Sequence, residues 1–78
     1  MKLVLITPLE TSTIDNVNIV TLPGSKGRFT VLHQHAPLVS AIRKGVIRYD
    51  ENTIAIDGGV VEVKDDLIKV ITEQFDDV

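Results

Sequence analysis

The sequence predicts an all-β fold of short antiparallel strands, and two observations lead to this prediction. Valine, isoleucine and threonine make up 27 of the 78 residues, and their branched Cβ atoms are stiff in helices but pack well on a pleated surface. Apolar runs of four to eight residues are also broken at short intervals by glycine, proline and aspartate. This alternation is typical of short strands joined by turns. A chain of this length has room for one domain.

The apolar runs and the breaks between them predict nine strands. In chain order the breaks are Pro23-Gly24, Gly27, Pro37, Gly45, Asp50 to Asn52, Gly58-Gly59 and Asp65-Asp66. The predicted strands lie near 2–7, 10–14, 16–22, 28–32, 38–43, 45–49, 53–57, 59–64 and 67–72. Only the segment 38–44 could instead form a helical turn. The acidic segment 73–78 is predicted to be a frayed tail, which leaves 1–72 as the folded domain.

The first glycine-containing break suggests a particular turn. Proline presets φ to near −65° and glycine accepts positive φ, so Pro23-Gly24 is predicted to form the centre of a type II turn. Gly24 and Gly27 also resemble part of a phosphate loop. A Walker loop, however, needs G-x-x-x-x-G-K-[ST] leading into a helix, whereas GSKGRF leads into a β-type sequence. An ordinary turn is therefore favoured.

Composition limits the core and the compartment. A chain of this size buries only ~60 to 65% of its unfolded surface, and such a core supplies ~3 to 5 kcal/mol of stability. Cysteine is absent, so no disulfide or thiolate metal site can strengthen that core, which suits a reducing compartment. The sequence shows neither a secretory signal nor an apolar run near the ~20 residues of a membrane span. We expect a soluble, unexported protein.

Two strands are apolar on both faces. Residues 3–6 are four consecutive aliphatic residues, and the segment 67–71 contains four more. In a simple two-layer sandwich the outer positions should be polar. Scattered exposed aliphatics are ordinary in small proteins, but an apolar interface patch on one outer face explains this pattern better.

Two ordered motifs give the sequence a family resemblance. The first motif comprises Leu22-Pro23-Gly24, Gly27, Phe29, Val31-Leu32, the run His35-Ala36-Pro37-Leu38-Val39, Ile42 and Gly45. The second is Asp57-Gly58-Gly59-Val60-Val61-Glu62-Val63. Together they resemble the N-terminal β domain of the epsilon subunit of the F-type ATP synthase, over Met1 to Thr72. The resemblance implies a small two-sheet antiparallel β-sandwich of about nine to ten short strands.

The resemblance also implies a function and partners. The expected protein is a non-catalytic rotor subunit that binds the gamma subunit and the polar loops of the c ring, without a cofactor or metal. It would help couple proton flow to ATP synthesis. Its membrane association would be peripheral, through the complex, on the cytoplasmic face of a bacterial cell membrane. The expected partner-binding residues are Arg28, His35, Leu38, Val39 and Val46.

The resemblance does not extend to the family's C-terminal helical hairpin. In the family that hairpin can extend into the catalytic head and inhibit ATP hydrolysis. Six residues follow Thr72 here, which are too few for two helices. The expectation from the sequence is that this route of autoinhibition is absent.

Charge is unevenly distributed along the chain. Residues 1–49 carry six basic against two acidic side chains, a net charge of +4, whereas residues 50–78 carry two basic against nine acidic, a net charge of −7. Between Asp15 and Asp50 there is no acidic residue, so a hairpin end with Lys26 and Arg28 should have a positive potential. Arg28 stands where the family often has an acidic residue.

Two alternative functions start from other features. A β-barrel that binds single-stranded nucleic acid would use the basic half, but Phe29, Tyr49 and Phe75 are too widely separated to predict a stacking platform. A metal-dependent enzyme would use His33 and His35, which would share a face if they lay on a strand. A metal site needs further ligands, and no other histidine is present.

Overall fold

The computed structural model of the chain describes residues 1–77, which form eight β-strands and no helix. The all-β prediction is confirmed. The strands are β1 Lys2–Ile6, β2 Thr11–Ile14, β3 Val20–Gly24, β4 Gly27–Val31, β5 Leu38–Tyr49, β6 Asn52–Lys64, β7 Leu67–Ile71 and β8 Phe75–Asp77. Within this part of the chain there is no helix long and apolar enough to span a membrane.

The eight strands form one continuous sheet that is folded into two layers. Its order is β2-β1-β7-β6-β5-β3-β4, and β8 pairs with β6 outside this path. The second half of β6 pairs with β7, whereas its first half pairs with β8. The first layer therefore contains β2, β1 and β7, the second contains β3, β4 and β8, and the long strands β5 and β6 belong to both. The sandwich is thus a single sheet, and β1 lies parallel to β7, whereas separate antiparallel sheets were expected.

The two long strands explain why there are fewer strands than predicted. The segments 38–43 and 45–49 are one strand, and so are 53–57 and 59–64. Gly45 pairs with Ile56 and Gly59 pairs with Ile42, so β5 and β6 stay in one register through this region. In β6 the buried residues are Ile54 and Ile56 before the glycine pair and Val61 and Val63 after it. The residues that face the core therefore change from even-numbered to odd-numbered positions. Gly58 and Gly59 have φ values of 82° and 133°, which residues with side chains rarely adopt.

The predicted type II turn at Pro23-Gly24 is wrong. Both residues lie at the end of β3, where Pro23 pairs with Arg28 and Gly24 pairs with Gly27. The turn itself is Ser25-Lys26. The register between β3 and β5 shifts between Thr21 and Gly24, and such an irregularity accommodates a residue that has no N–H to donate.

The core lies between the two layers. Fourteen apolar side chains are buried there, and most alternate with exposed or half-buried positions along their strands, as expected for a sandwich. They are Leu3, Leu5, Val17, Val20, Leu22, Val31, Ile42, Ile47, Ile54, Ile56, Val61, Val63, Ile68 and Val70.

The prediction of a frayed acidic tail is wrong for most of its length. Phe75–Asp77 form β8, which pairs antiparallel with Ile54–Ile56 of β6. Phe75 packs against the core, and this burial anchors the segment. Val78 lies outside the described residues.

Candidate docking surfaces

An apolar row crosses the outer face of the first layer. In the strand register Ile6 pairs with Ile71, Ile71 with Val60, and Val60 with Ala41. Residues directly opposite one another on paired strands point to the same face, so Ile6, Ala41, Val60 and Ile71 form one line across four strands, here called the apolar row. Ile71 is 51% exposed and Val60 is 42% exposed. An exposed apolar surface shared by several strands is a candidate interaction site.

A groove of about 510 Å³ lies along the apolar row. Its walls include Ile6, Pro8, Val60 and Ile71, and backbone lines part of it where Gly58-Gly59 carry no side chains. Asp57, Thr72 and Glu73 also line it. The groove is open and mainly aliphatic, which suits the insertion of an apolar side chain from a partner.

The aliphatic runs in β1 and β7 are the sequence signal for the apolar row. In β1 the side chains of Leu3 and Leu5 are buried, whereas those of Val4 and Ile6 are half-buried on the opposite side. The parallel pairing with β7 then brings Ile6 beside Ile71. The sequence indicated an apolar outer face. That Val60 belongs to the apolar row follows only from its pairing with Ile71, which the local pattern does not show.

The structure does not bring the predicted contacts Leu38, Val39 and Val46 onto one sheet face. Leu38 and Val39 are consecutive in β5 and point to opposite faces. Leu38 packs against the core, whereas Val39 is 68% exposed. Val46 lies in the other half of β5, beyond the bend. Their role in binding stays a prediction.

A second groove lies at the β3–β4 hairpin end. It has a volume of about 520 Å³ and is lined by residues of the hairpin, including Lys26 and Arg28, and by Leu38 and Val39 of β5. The amide N–H of Ser25 donates to the carbonyl oxygen of Ala41 at 3.0 Å, which fixes the hairpin tip against β5. Three of the five predicted contacts, Arg28, Leu38 and Val39, therefore meet at this groove.

Arg28 also reaches across β3 to β5. Its Nη2 donates a hydrogen bond to the carbonyl oxygen of Val46 at 3.2 Å. The guanidinium thereby links β4 directly to the backbone of β5.

The two histidines lie in the loop between β4 and β5, so the premise that they share a strand face is wrong. The ring of His33 is 3.4 Å from Asn18 Oδ1 and 3.6 Å from Asp66 Oδ2. His35 Nδ1 donates to the carbonyl oxygen of Ala36 at 2.7 Å. In residues 1–77 no group of three histidine, aspartate or glutamate side chains is arranged to hold a metal ion.

Asp66 fastens this loop to the β6–β7 turn. Asp65 and Asp66 have φ values of 51° and 61°, as a two-residue type I′ hairpin requires. The amide N–H of Gln34 donates to Asp66 Oδ1 at 3.2 Å. This hydrogen bond lowers the pKa of the Asp66 carboxyl from 3.8, burial opposes the shift, and the nearby His33 ring lowers the pKa further. The sequence had indicated only a break between two predicted strands here.

His35 lies beside the β6–β7 turn and not in the groove that Lys26 and Arg28 line. His35, Pro37 and Gln34 border a shallow groove with Asp65 and Asp66. Two carboxylates therefore lie near His35, whereas Lys26 and Arg28 make no ion pair with any described residue. The positive surface at the hairpin end consists of lysine and arginine side chains.

A sheet of eight strands folded into two layers around one core defines a small β-sandwich domain. The same fold occurs in a chain of the Tetrahymena thermophila mitochondrial ATP synthase, in a structure of its central stalk and c ring. That chain matches with a TM-score of 0.84 and 14% identity, over 97% of this chain and 65% of the other.

The chain belongs to the ATP synthase delta/epsilon chain family, since residues 1–77 match its beta-sandwich domain. The ATP synthase epsilon chain of Desulfitobacterium hafniense is 41% identical over 63 residues, which cover 76% of this chain and 48% of that relative. The epsilon chain of Campylobacter jejuni is 42% identical over 74 residues, covering 88% and 57%. The chain thus spans about half the length of these relatives.

Proposed function

We propose that the chain acts as a rotor component of a proton-translocating ATP synthase, binding the gamma subunit and the c ring. The family match over residues 1–77 carries this proposal. The presence of a similarly folded chain in a structure of a central stalk and c ring supports it. The role is structural: the domain helps the stalk transmit torque and requires no catalytic residue or cofactor of its own.

The apolar row is the surface that binds the gamma subunit in this proposal. It is the part of the described surface where aliphatic side chains from four strands lie side by side. The aliphatic groove beside it accepts side chains of the partner. Association removes this surface from water, which is the main favourable contribution to a stable protein interface.

The β3–β4 hairpin end is the surface that faces the polar loops of the c ring. Lys26 and Arg28 are exposed there. Polar loops are contacted better by a charged surface than by an aliphatic surface. Association with the membrane is then peripheral, through the complex, on the cytoplasmic face of a bacterial cell membrane. The bacterial relatives support this location.

Binding to the gamma subunit can be measured with Ile71→Asp and a matched control. We expect Ile71→Asp to weaken binding about 5- to 30-fold, because truncating or charging a buried interface anchor costs ~1 to 2 kcal/mol or more. Leu32→Asp is the control, since Leu32 is 55% exposed but lies in the β4–β5 loop, away from the apolar row. Calorimetry with purified gamma subunit measures both affinities.

The co-purifying proteins test the broader assignment. The tagged chain should be recovered from native membranes with gamma, alpha and beta subunits. Recovery without any of these subunits would contradict the proposed complex. An equal loss of affinity in Ile71→Asp and Leu32→Asp would leave the complex in place but reject the apolar row as the gamma-binding surface.

A further inference from the structure

We propose that the outer face of the second layer docks an acidic segment of a protein partner, held by Arg28 and Arg48. The proposal deepens the proposed function, because it gives the chemistry of the contact on the hairpin side of the domain. The four side chains that build this surface, here called the arginine face, are Thr21, Arg28, Thr30 and Arg48.

The strand register places these four side chains together. Thr21 pairs with Thr30 of β4 on one side and with Arg48 of β5 on the other. The two threonine hydroxyls are 3.0 Å apart, so both point to the outer face. Arg28 is two residues from Thr30 on the same strand and therefore shares this face.

The Arg28 side chain extends over β3 toward the strand that carries Arg48. Arg28 extends across the strand until its Nη2 is 3.2 Å from the carbonyl oxygen of Val46. Val46 is two residues from Arg48 on β5, so its side chain and that of Arg48 lie on the same face. Arg28 and Arg48 therefore lie on one face, on the two strands that flank β3.

Both arginines keep charge that no acidic residue of the described chain neutralises. The ion pairs in residues 1–77 are Lys2 with Asp15, His33 with Asp66 and Lys69 with Glu62. Among the described residues, the Arg28 side chain bonds only to a backbone carbonyl, and the exposed Arg48 side chain has neither a hydrogen bond nor an ion pair. Planar guanidinium groups bind carboxylates through two parallel hydrogen bonds, so adjacent arginines suit adjacent carboxylates.

The rest of the surface favours a protein segment over a nucleic acid. Phe29, Tyr49 and Phe75 are half-buried and pack against the core, so no described aromatic ring is left as an exposed stacking platform. Asp57 and Asp76 lie further across the same layer, on β6 and β8. Their repulsion confines an acidic segment to the side formed by β3, β4 and the second half of β5.

The experiment compares three fluorescent probes on the full chain by anisotropy. The probes are an octamer rich in glutamate and aspartate, the same octamer with glutamine and asparagine, and a single-stranded oligonucleotide of matched charge. We expect the acidic peptide to bind tightest, with an affinity that falls as salt rises. Arg28→Gln and Arg48→Gln should each weaken it about two- to five-fold. Lys64→Gln, an equal charge change on an exposed residue of the other layer, should leave it unchanged.

Three results would overturn the proposal. Equal binding of the acidic and neutral peptides would remove the role of charge. If Lys64→Gln weakened binding of the acidic peptide as much as the arginine variants do, the affinity would depend on net charge alone and not on a defined site. Tighter binding of the oligonucleotide, with the same sensitivity to Arg28→Gln and Arg48→Gln, would assign the arginine face to nucleic acid. Ile71 lies on the other layer, so Ile71→Asp tests the gamma-binding surface and leaves the arginine face unchanged. A failure of the gamma-binding proposal can therefore be told apart from a failure of this one.

Discussion

Gly59 packs so closely against the carbonyl oxygen of Ile71 that a Cβ atom on Gly59 would overlap it. The contact joins β6 to β7 beside the apolar row, and it coincides with the position where the buried side of β6 changes. Gly59 also has a φ of 133°. Two separate constraints, one steric and one conformational, therefore require glycine at this position.

Gly59→Ala should abolish stable folding or lower the free energy of unfolding by more than ~3 kcal/mol, which is comparable with the stability of a domain this small. Gly27→Ala separates the two constraints, since Gly27 has a φ of 130° but nothing within 4 Å of an added Cβ. It should cost only the backbone strain, ~1 to 3 kcal/mol. Urea unfolding followed by circular dichroism measures both. Similar losses in the two variants would show that the contact with Ile71 relaxes freely.

Asp66→Asn should change how stability depends on pH. Because the folded-state pKa of Asp66 is lowered from 3.8, the ionised carboxylate stabilises the fold at pH values above the unfolded-state pKa. This contribution is lost as the pH falls through the folded-state value. The wild type should therefore lose more stability between pH 7 and pH 3 than Asp66→Asn loses.

Asp65→Asn is the matched control for Asp66. Both residues occupy the turn with positive φ, which asparagine also tolerates, but Asp66 is the one that accepts the Gln34 N–H. Urea midpoints of the three proteins at pH 7 and pH 3 give the comparison. If Asp65→Asn altered the pH dependence as much as Asp66→Asn, the hydrogen bond to Gln34 would not be its source.

Val60→Asp should weaken binding to the gamma subunit more than Val46→Asp does. Both valines lie in long strands of the sandwich, but Val60 belongs to the apolar row and Val46 lies on the outer face of the second layer. The expected loss for Val60→Asp is ~1 to 2 kcal/mol or more. Calorimetry gives both affinities, and a larger loss for Val46→Asp would move the gamma contact to the second layer.

Arg28→Glu should reduce association with the c ring while leaving gamma binding near the wild-type value. An exposed charge of this kind contributes ~0.2 to 1 kcal/mol and is screened by salt, so the defect should be larger at low ionic strength. Cross-linking to the ring and proton-driven ATP synthesis are the two measurements. Wild-type values of both at low salt would show that Arg28 takes no part in this contact.

Local features of the sequence were sufficient to predict the all-β fold class, the family and most strand positions. Branched side chains, apolar runs and the glycine, proline and aspartate breaks act within a few residues, so they can be interpreted without a partner strand. The runs at 3–6 and 67–71 also indicated an apolar outer face. Their alternating burial follows directly from the two-residue period of a strand.

The tertiary structure alone decided which residues meet. Gly45 and Gly58-Gly59 end strands in the local pattern, yet β5 and β6 continue through them because the two strands keep one pairing register across this region. The bond from Arg28 to Val46 and the contact of Asp66 with Gln34 join residues 18 and 32 positions apart. The apolar row likewise requires β1 to lie parallel to β7. Such neighbours are set by the order and register of the strands, and the local pattern of one segment carries no information about either.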